Sequence, residues 1–78
     1  MTINEAVQKR ILDICFERNI SINKLCIMSG VTQSTVNNIL SRENTSPTIL
    51  TIKRLCDGAD MTLVEFFDCH LFNDVDSF

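Results

Sequence analysis

Ser21-Ile22-Asn23-Lys24-Leu25-Cys26-Ile27-Met28-Ser29-Gly30-Val31-Thr32-Gln33-Ser34-Thr35-Val36-Asn37-Asn38-Ile39-Leu40-Ser41 is the stretch that decides the fold. Ser21 is placed to cap a helix, its hydroxyl accepting from an unpaired N–H one turn on. Ile22, Leu25 and Cys26 then recur at helical spacing. Met28-Ser29-Gly30 closes that helix, because Gly adopts the left-handed conformation without a Cβ penalty. Val31 plugs the corner, and Thr32 caps a further helix whose apolar face is Val36, Ile39 and Leu40. The opposite face reads Gln33, Ser34, Thr35, Asn37, Asn38 and Ser41, with no charge and ample hydrogen-bonding capacity. Two short helices joined across a glycine turn predict a helix-turn-helix.

Working outward, the segment from Thr2 or Ile3 to Arg18 lacks Gly and Pro, and Ile3, Val7, Ile11, Ile14 and Cys15 form one helical stripe. Leu12 and Phe16 lie on the opposite side as an i,i+4 apolar pair. They are expected to meet the C-terminal tail or a second subunit. Ile20 is expected to pack inward. Downstream, Arg42 to Ser46 reads as the longest loop. Ser46-Pro47 or Thr48 opens a fourth helix with the stripe Ile49, Ile52, Leu55, Cys56 and Ala59, ending at Asp57-Gly58-Ala59-Asp60. Thr62 and Glu65 form a capping box for a fifth helix, with Leu63, Phe66 and Phe67 supplying core bulk. After His70 the periodicity is lost. Residues 1–70 therefore read as one all-α, five-helix domain, and residues 71–78 as a tail that frays or sits at a dimer contact.

Size and composition restrict the roles open to such a chain. Its 78 residues make one small domain, and 45% hydrophobic content with two Gly and one Pro describes an ordered chain. Burial of roughly 60–65% of the unfolded surface gives modest stability, which a second subunit would raise. No apolar run approaches the ~20 residues of a membrane span. No basic segment followed by an apolar stretch opens the chain as a leader would. An enzyme cleft does not fit beside the core, and the single His70 near the tail completes no nucleophile–base–acid set. The expectation is a protein with neither catalytic nor membrane function.

Net charge is −3, but the charges are arranged in blocks. Residues 18–54 carry Arg18, Lys24, Arg42, Lys53 and Arg54 against Glu43 alone. Residues 55–78 carry Asp57, Asp60, Glu65, Asp68, Asp74 and Asp76 with no Lys or Arg. A basic middle thus precedes an acidic end. The acidic third is more simply a solvated face than a partner site. Cys15, Cys26, Cys56 and Cys69 are 11, 30 and 13 residues apart, so they form no paired knuckle. The first three sit among aliphatics and read as core filler. Cys69-His70 supplies two adjacent ligands and no site. The expectations are reduced thiols, a cytoplasmic location, no metal and no cofactor.

The polar helix has the chemistry to read duplex DNA. A major groove about 12 Å wide admits one helix, and the side chains entering it must present donors and acceptors to base edges. Gln33 with Asn37 or Asn38 can make the bidentate amide-to-adenine pair, while Ser34 and Thr35 can bond to bases or phosphates. Ser21 and Thr32 stand at helix N-termini suited to phosphate. Lys24 on one side, and Ser41, Arg42, Asn44 and Lys53 on the other, are candidates to hold the backbone.

Taken together, residues 21–39 resemble the helix-turn-helix of the Cro and phage-repressor family, also called the xenobiotic-response-element family. Ser46-Pro47-Thr48, Thr51-Ile52-Lys53-Arg54-Leu55-Cys56 and Met61-Thr62-Leu63-Val64-Glu65-Phe66-Phe67 are similar to its fourth and fifth helices. The resemblance covers roughly residues 3–68. It implies a compact five-helix, lambda-repressor-like fold and a bacterial or phage transcription regulator that binds double-stranded operators as a homodimer. It also implies that Gln33, Ser34, Thr35, Asn37 and Asn38 occupy the recognition positions. Ile22 stands where many members carry a phosphate-clamping Gln, leaving that contact to Asn23 or Lys24. Leu40 and Arg42 stand where many carry an acidic residue and a glycine. Leu12, Phe16, Leu71 and Phe72 are the dimer candidates. The alternative reading is an antitoxin-like or regulatory interaction module that keeps the scaffold and binds protein instead.

Overall fold

A computed structural model of the chain describes residues 1–41 and 46–77. Among these, five helices run in order: α1 (Ile3–Arg18), α2 (Ile22–Ser29), α3 (Gln33–Ser41), α4 (Ile49–Gly58) and α5 (Leu63–Phe67), followed by a single 3-10 turn at His70–Phe72. The helix starts are set by side-chain caps. Thr2, Ser21, Thr48 and Thr62 each accept from the backbone N–H three residues on, and Glu5 and Glu65 return the bond to complete two capping boxes. Asn19 and Gly30 close α1 and α2 in the left-handed conformation.

The core is built from every helix. Val7, Ile11, Ile14 and Cys15 of α1 meet Leu25, Cys26, Val36, Ile39, Ile52, Leu55, Cys56 and Phe66, with Val31 filling the α2–α3 corner. Cys15, Cys26 and Cys56 are buried free thiols, each held above the usual thiol pKa chiefly by desolvation. Helix α4 packs on α2 at very close range: a Cβ on Gly58 would stand 2.7 Å from the Cα of Ser29. Ile20 packs half-buried on the core.

Two expected core residues lie outside it. Ile49 is 76% exposed, because the packed stretch of α4 begins one turn later, at Ile52. Phe67 is 39% exposed, since Leu63 and Phe66, three residues apart, take the inward face of this five-residue helix. Phe67 instead stands at the rim, edge-on to both Phe66 and Phe72 at 4.9 Å between centroids. The tail is also tied down rather than loose. Asp76 N–H donates to the Met1 carbonyl and Ile3 N–H to the Asp76 carbonyl, both at 3.0 Å, forming a parallel bridge beside Thr2.

Two arginines of α1 fix the helix ends opposite them. Arg10 donates to the carbonyls of Phe66 (2.7 Å) and Glu65 (3.0 Å), with its guanidinium 5.9 Å from the Phe66 ring centroid. Arg18 donates to the Ala59 carbonyl at 2.8 Å. Both satisfy carbonyls near helix C-termini, where a cation is also favoured by the helix dipole.

Candidate nucleic-acid interface

Helix α3 is anchored from behind and bare in front. Val36 and Ile39 are fully buried and Leu40 packs half-buried against the core. Gln33, Ser34, Asn37, Asn38 and Ser41 are exposed, with Thr35 half-buried between the two faces. The predicted ridge therefore points away from the core. Its entry is ordered by hydroxyls: Thr32 Oγ1 accepts from the Thr35 N–H at 3.3 Å and lies 2.8 Å from Thr35 Oγ1 and 3.3 Å from Ser34 Oγ. At its exit, the Ser41 hydroxyl donates to the Asn37 carbonyl at 2.6 Å. The side-chain amides of Gln33, Asn37 and Asn38 make no hydrogen bond among the described residues.

The turn before α3 sets its direction. Gly30 has φ 67° and donates to the Cys26 carbonyl, and Val31 donates to the same oxygen at 3.2 Å. These bonds reverse the chain within three residues and bury Val31. Asn23 and Ile27 of α2 then line one shallow depression with Gly30, Thr32 and Gln33. The polar start of α3 and one side of α2 form a continuous surface.

A residue that sequence reasoning missed holds the far end. Gln8 of α1 donates from Nε2 to the Ile39 carbonyl at 2.8 Å, tying the last turn of α3 to a helix 31 residues earlier. No local pattern marks Gln8, since its partner is a backbone atom distant in sequence.

The phosphate candidates fall into three groups. Ser21, Lys24, Thr32 and Ser41 are exposed around α2 and α3, with Ser21 Oγ already accepting from the Lys24 N–H at 3.0 Å. Lys24 forms no ion pair among the described residues. Lys53 is exposed on α4 but hydrogen-bonds Asp57 one turn on, which pushes its ammonium pKa up. A phosphate there would share the ammonium with that carboxylate or compete with it. Arg42 and Asn44 lie outside the described residues.

The dimer candidates fall into two groups. Leu12 is 48% and Phe16 88% exposed on the outer face of α1. Leu71 is half-buried, and Phe72 packs against the core beside Phe66 and Phe67. Further large apolar side chains, Ile27, Leu50 and Val64, are also exposed. Among the described residues no group of three or more His, Cys, Asp or Glu is placed to hold a metal ion. No helix there is long and apolar enough to cross a membrane.

Comparison with known proteins agrees with this geometry. A family model for the Cro/C1-type HTH DNA-binding domain matches residues 10–70. The crystal structure of the prophage Lp1 protein 11 is similar throughout. It has a TM-score of 0.83 and 31% sequence identity, over 96% of this chain and 99% of that one. No curated protein matches significantly.

Proposed function

Since the chain belongs to the Cro/C1-type helix-turn-helix DNA-binding domain family, we propose that it is a transcriptional repressor that inserts α3 into the major groove of its operator. The observation that supports this reading is the outward ridge of α3, whose amides are exposed and have no hydrogen-bond partner among the described residues, while Val36 and Ile39 lock the helix from behind. Gln33, Asn37 and Asn38 read base edges, and Ser34 and Thr35 bond at the groove rim. Ser21, Lys24, Thr32, Ser41, Arg42, Asn44 and Lys53 hold phosphates and fix the register. Bound close to promoters, such a domain excludes polymerase.

The protein acts as a homodimer on half-sites one helical turn apart, ~34–36 Å. Two features support a second copy: the small core, and the exposed apolar pair Leu12 and Phe16. Leu71 and Phe72 are less available, being half-buried within the chain.

The test is selection of bound sequences from random duplex DNA at two salt concentrations, with Gln33→Ala as control. One enriched, two-fold symmetric motif is expected, and the variant should lose preference at one position of each half-site. A protein that retains no sequence preference while staying folded is not a regulator of this kind.

A further inference from the structure

We propose that α5 and the acidic turn before it form a docking site for a segment of another protein, one that carries apolar side chains flanked by Lys or Arg. The site does not involve α3 and stands apart from the DNA-binding role proposed above.

Helix α5 has five residues, too few to persist in isolation, yet it is fixed at both ends. Thr62 and Glu65 close a capping box at its start, and Arg10 donates to the Phe66 and Glu65 carbonyls at its end. Phe66 is wholly buried, and Phe67 stands edge-on to both Phe66 and Phe72. The outward side chains are thus held in place, and little further ordering is needed when something binds them. Leu63, Val64 and Phe67, with Asp68, line a shallow apolar depression. Val64 is 77% exposed within it.

Charge identifies the occupant. A second depression reaches the same helix and is lined by Asp57, Asp60, Met61, Thr62 and Glu65. Residues 55–78 supply six acidic side chains and no Lys or Arg. Cations do reach this end from other segments, but Lys53 pairs with Asp57 and Arg10 with Glu17. Arg18, bonded to the Ala59 carbonyl, offsets only part of what remains at Asp60, Glu65 and Asp68. The rim of the apolar strip therefore stays negative. Such a rim repels nucleic acid and anionic bilayers. It also opposes a second copy, because a two-fold interface sets each patch against itself and would bring carboxylates together. An apolar segment flanked by cations satisfies the strip and its rim at once.

The experiment selects phage-displayed random peptides on the immobilised full chain. Enriched peptides should combine apolar residues with a net positive charge. A synthetic copy of the enriched peptide should shift the amide NMR signals of Leu63, Val64, Phe67 and Asp68. Val64→Lys, at an exposed position, should keep the helical circular dichroism and sedimentation of the parent while weakening the peptide about tenfold. Asp60→Asn/Asp68→Asn should weaken it as well, and more at low salt than at high salt. Asn tolerates the left-handed backbone at position 60, where φ is 56°. Failure to enrich, enrichment of neutral or acidic peptides, or shifts confined to α3 or to Leu12 and Phe16 overturns the proposal. So does a parent that sediments as a dimer and a Val64→Lys protein that sediments as a monomer, which makes the face a contact between copies.

Discussion

Gln8 on α1 and Ile39 on α3 are joined by a 2.8 Å hydrogen bond from the Gln8 carboxamide to the Ile39 carbonyl. This bond satisfies one of the last carbonyls of α3, which would otherwise lack an intrahelical partner. It also fixes the far end of the ridge relative to the longest helix.

Gln8→Ala is expected to reduce stability by only about 1 kcal/mol, the usual net value of one such bond. DNA affinity should fall by a larger factor, because a loosened α3 no longer presents Gln33 and Asn37 together. Urea denaturation and fluorescence anisotropy on a fixed operator measure the two effects separately. Equal losses in stability and affinity would show that Gln8 supports the fold and nothing more.

Gly58→Ala is expected to destabilise the protein by about 1–3 kcal/mol. Alanine gains about 1 kcal/mol over glycine within a helix. Here its Cβ would stand 2.1 Å from Ser29 Oγ and 2.8 Å from the Ser29 N. Backbone atoms cannot rotate away, so α4 must shift from α2. Ser29→Ala is the companion test. The Ser29 hydroxyl is buried without a partner among the described residues, so its removal should leave the denaturation midpoint unchanged or raise it.

Asp57→Asn should strengthen DNA binding to all sequences alike, with the gain largest at low salt. The substitution releases Lys53 from its i,i+4 partner for a phosphate. Lys53→Ala should do the opposite and lower the salt slope by about one. If neither change alters affinity, Lys53 lies off the DNA path.

Acidification should weaken the fold through its two capping boxes. Glu5 and Glu65 accept from the backbone N–H groups of Thr2 and Thr62, and these bonds hold both carboxyls below the usual glutamate range. A depressed folded-state pKa means stability that is present above the unfolded pKa and lost as pH falls through the folded one. The loss therefore begins below about pH 4.5. The Glu5→Gln/Glu65→Gln variant keeps the box geometry without the titration. Its melting temperature should fall less steeply over that interval, and parallel curves would remove the carboxylates from the account.

The helices were legible in the sequence because their signals are local. Thr2, Ser21, Thr48 and Thr62 each act within one turn, and Gly30 closes α2 through its own φ. The α3 ridge was legible for the same reason, as a polar face opposite Val36 and Ile39. The contacts that orient it were not. Gln8, Arg10 and Arg18 bond backbone atoms 31, 56 and 41 residues away, and a carbonyl has no residue type to betray it. Ile49 and Phe67 show the complementary limit: periodicity names a face, and only the neighbouring helix decides how far along that face burial extends.

Arg10 and Arg18 count toward the cationic total, yet both guanidiniums are occupied with carbonyls of the protein itself. Those bonds leave both charges in place, but they hold the two guanidiniums to the protein's own backbone. In the operator-binding role proposed above, grip on the strand then falls to other cations, Lys24 and Lys53 among them.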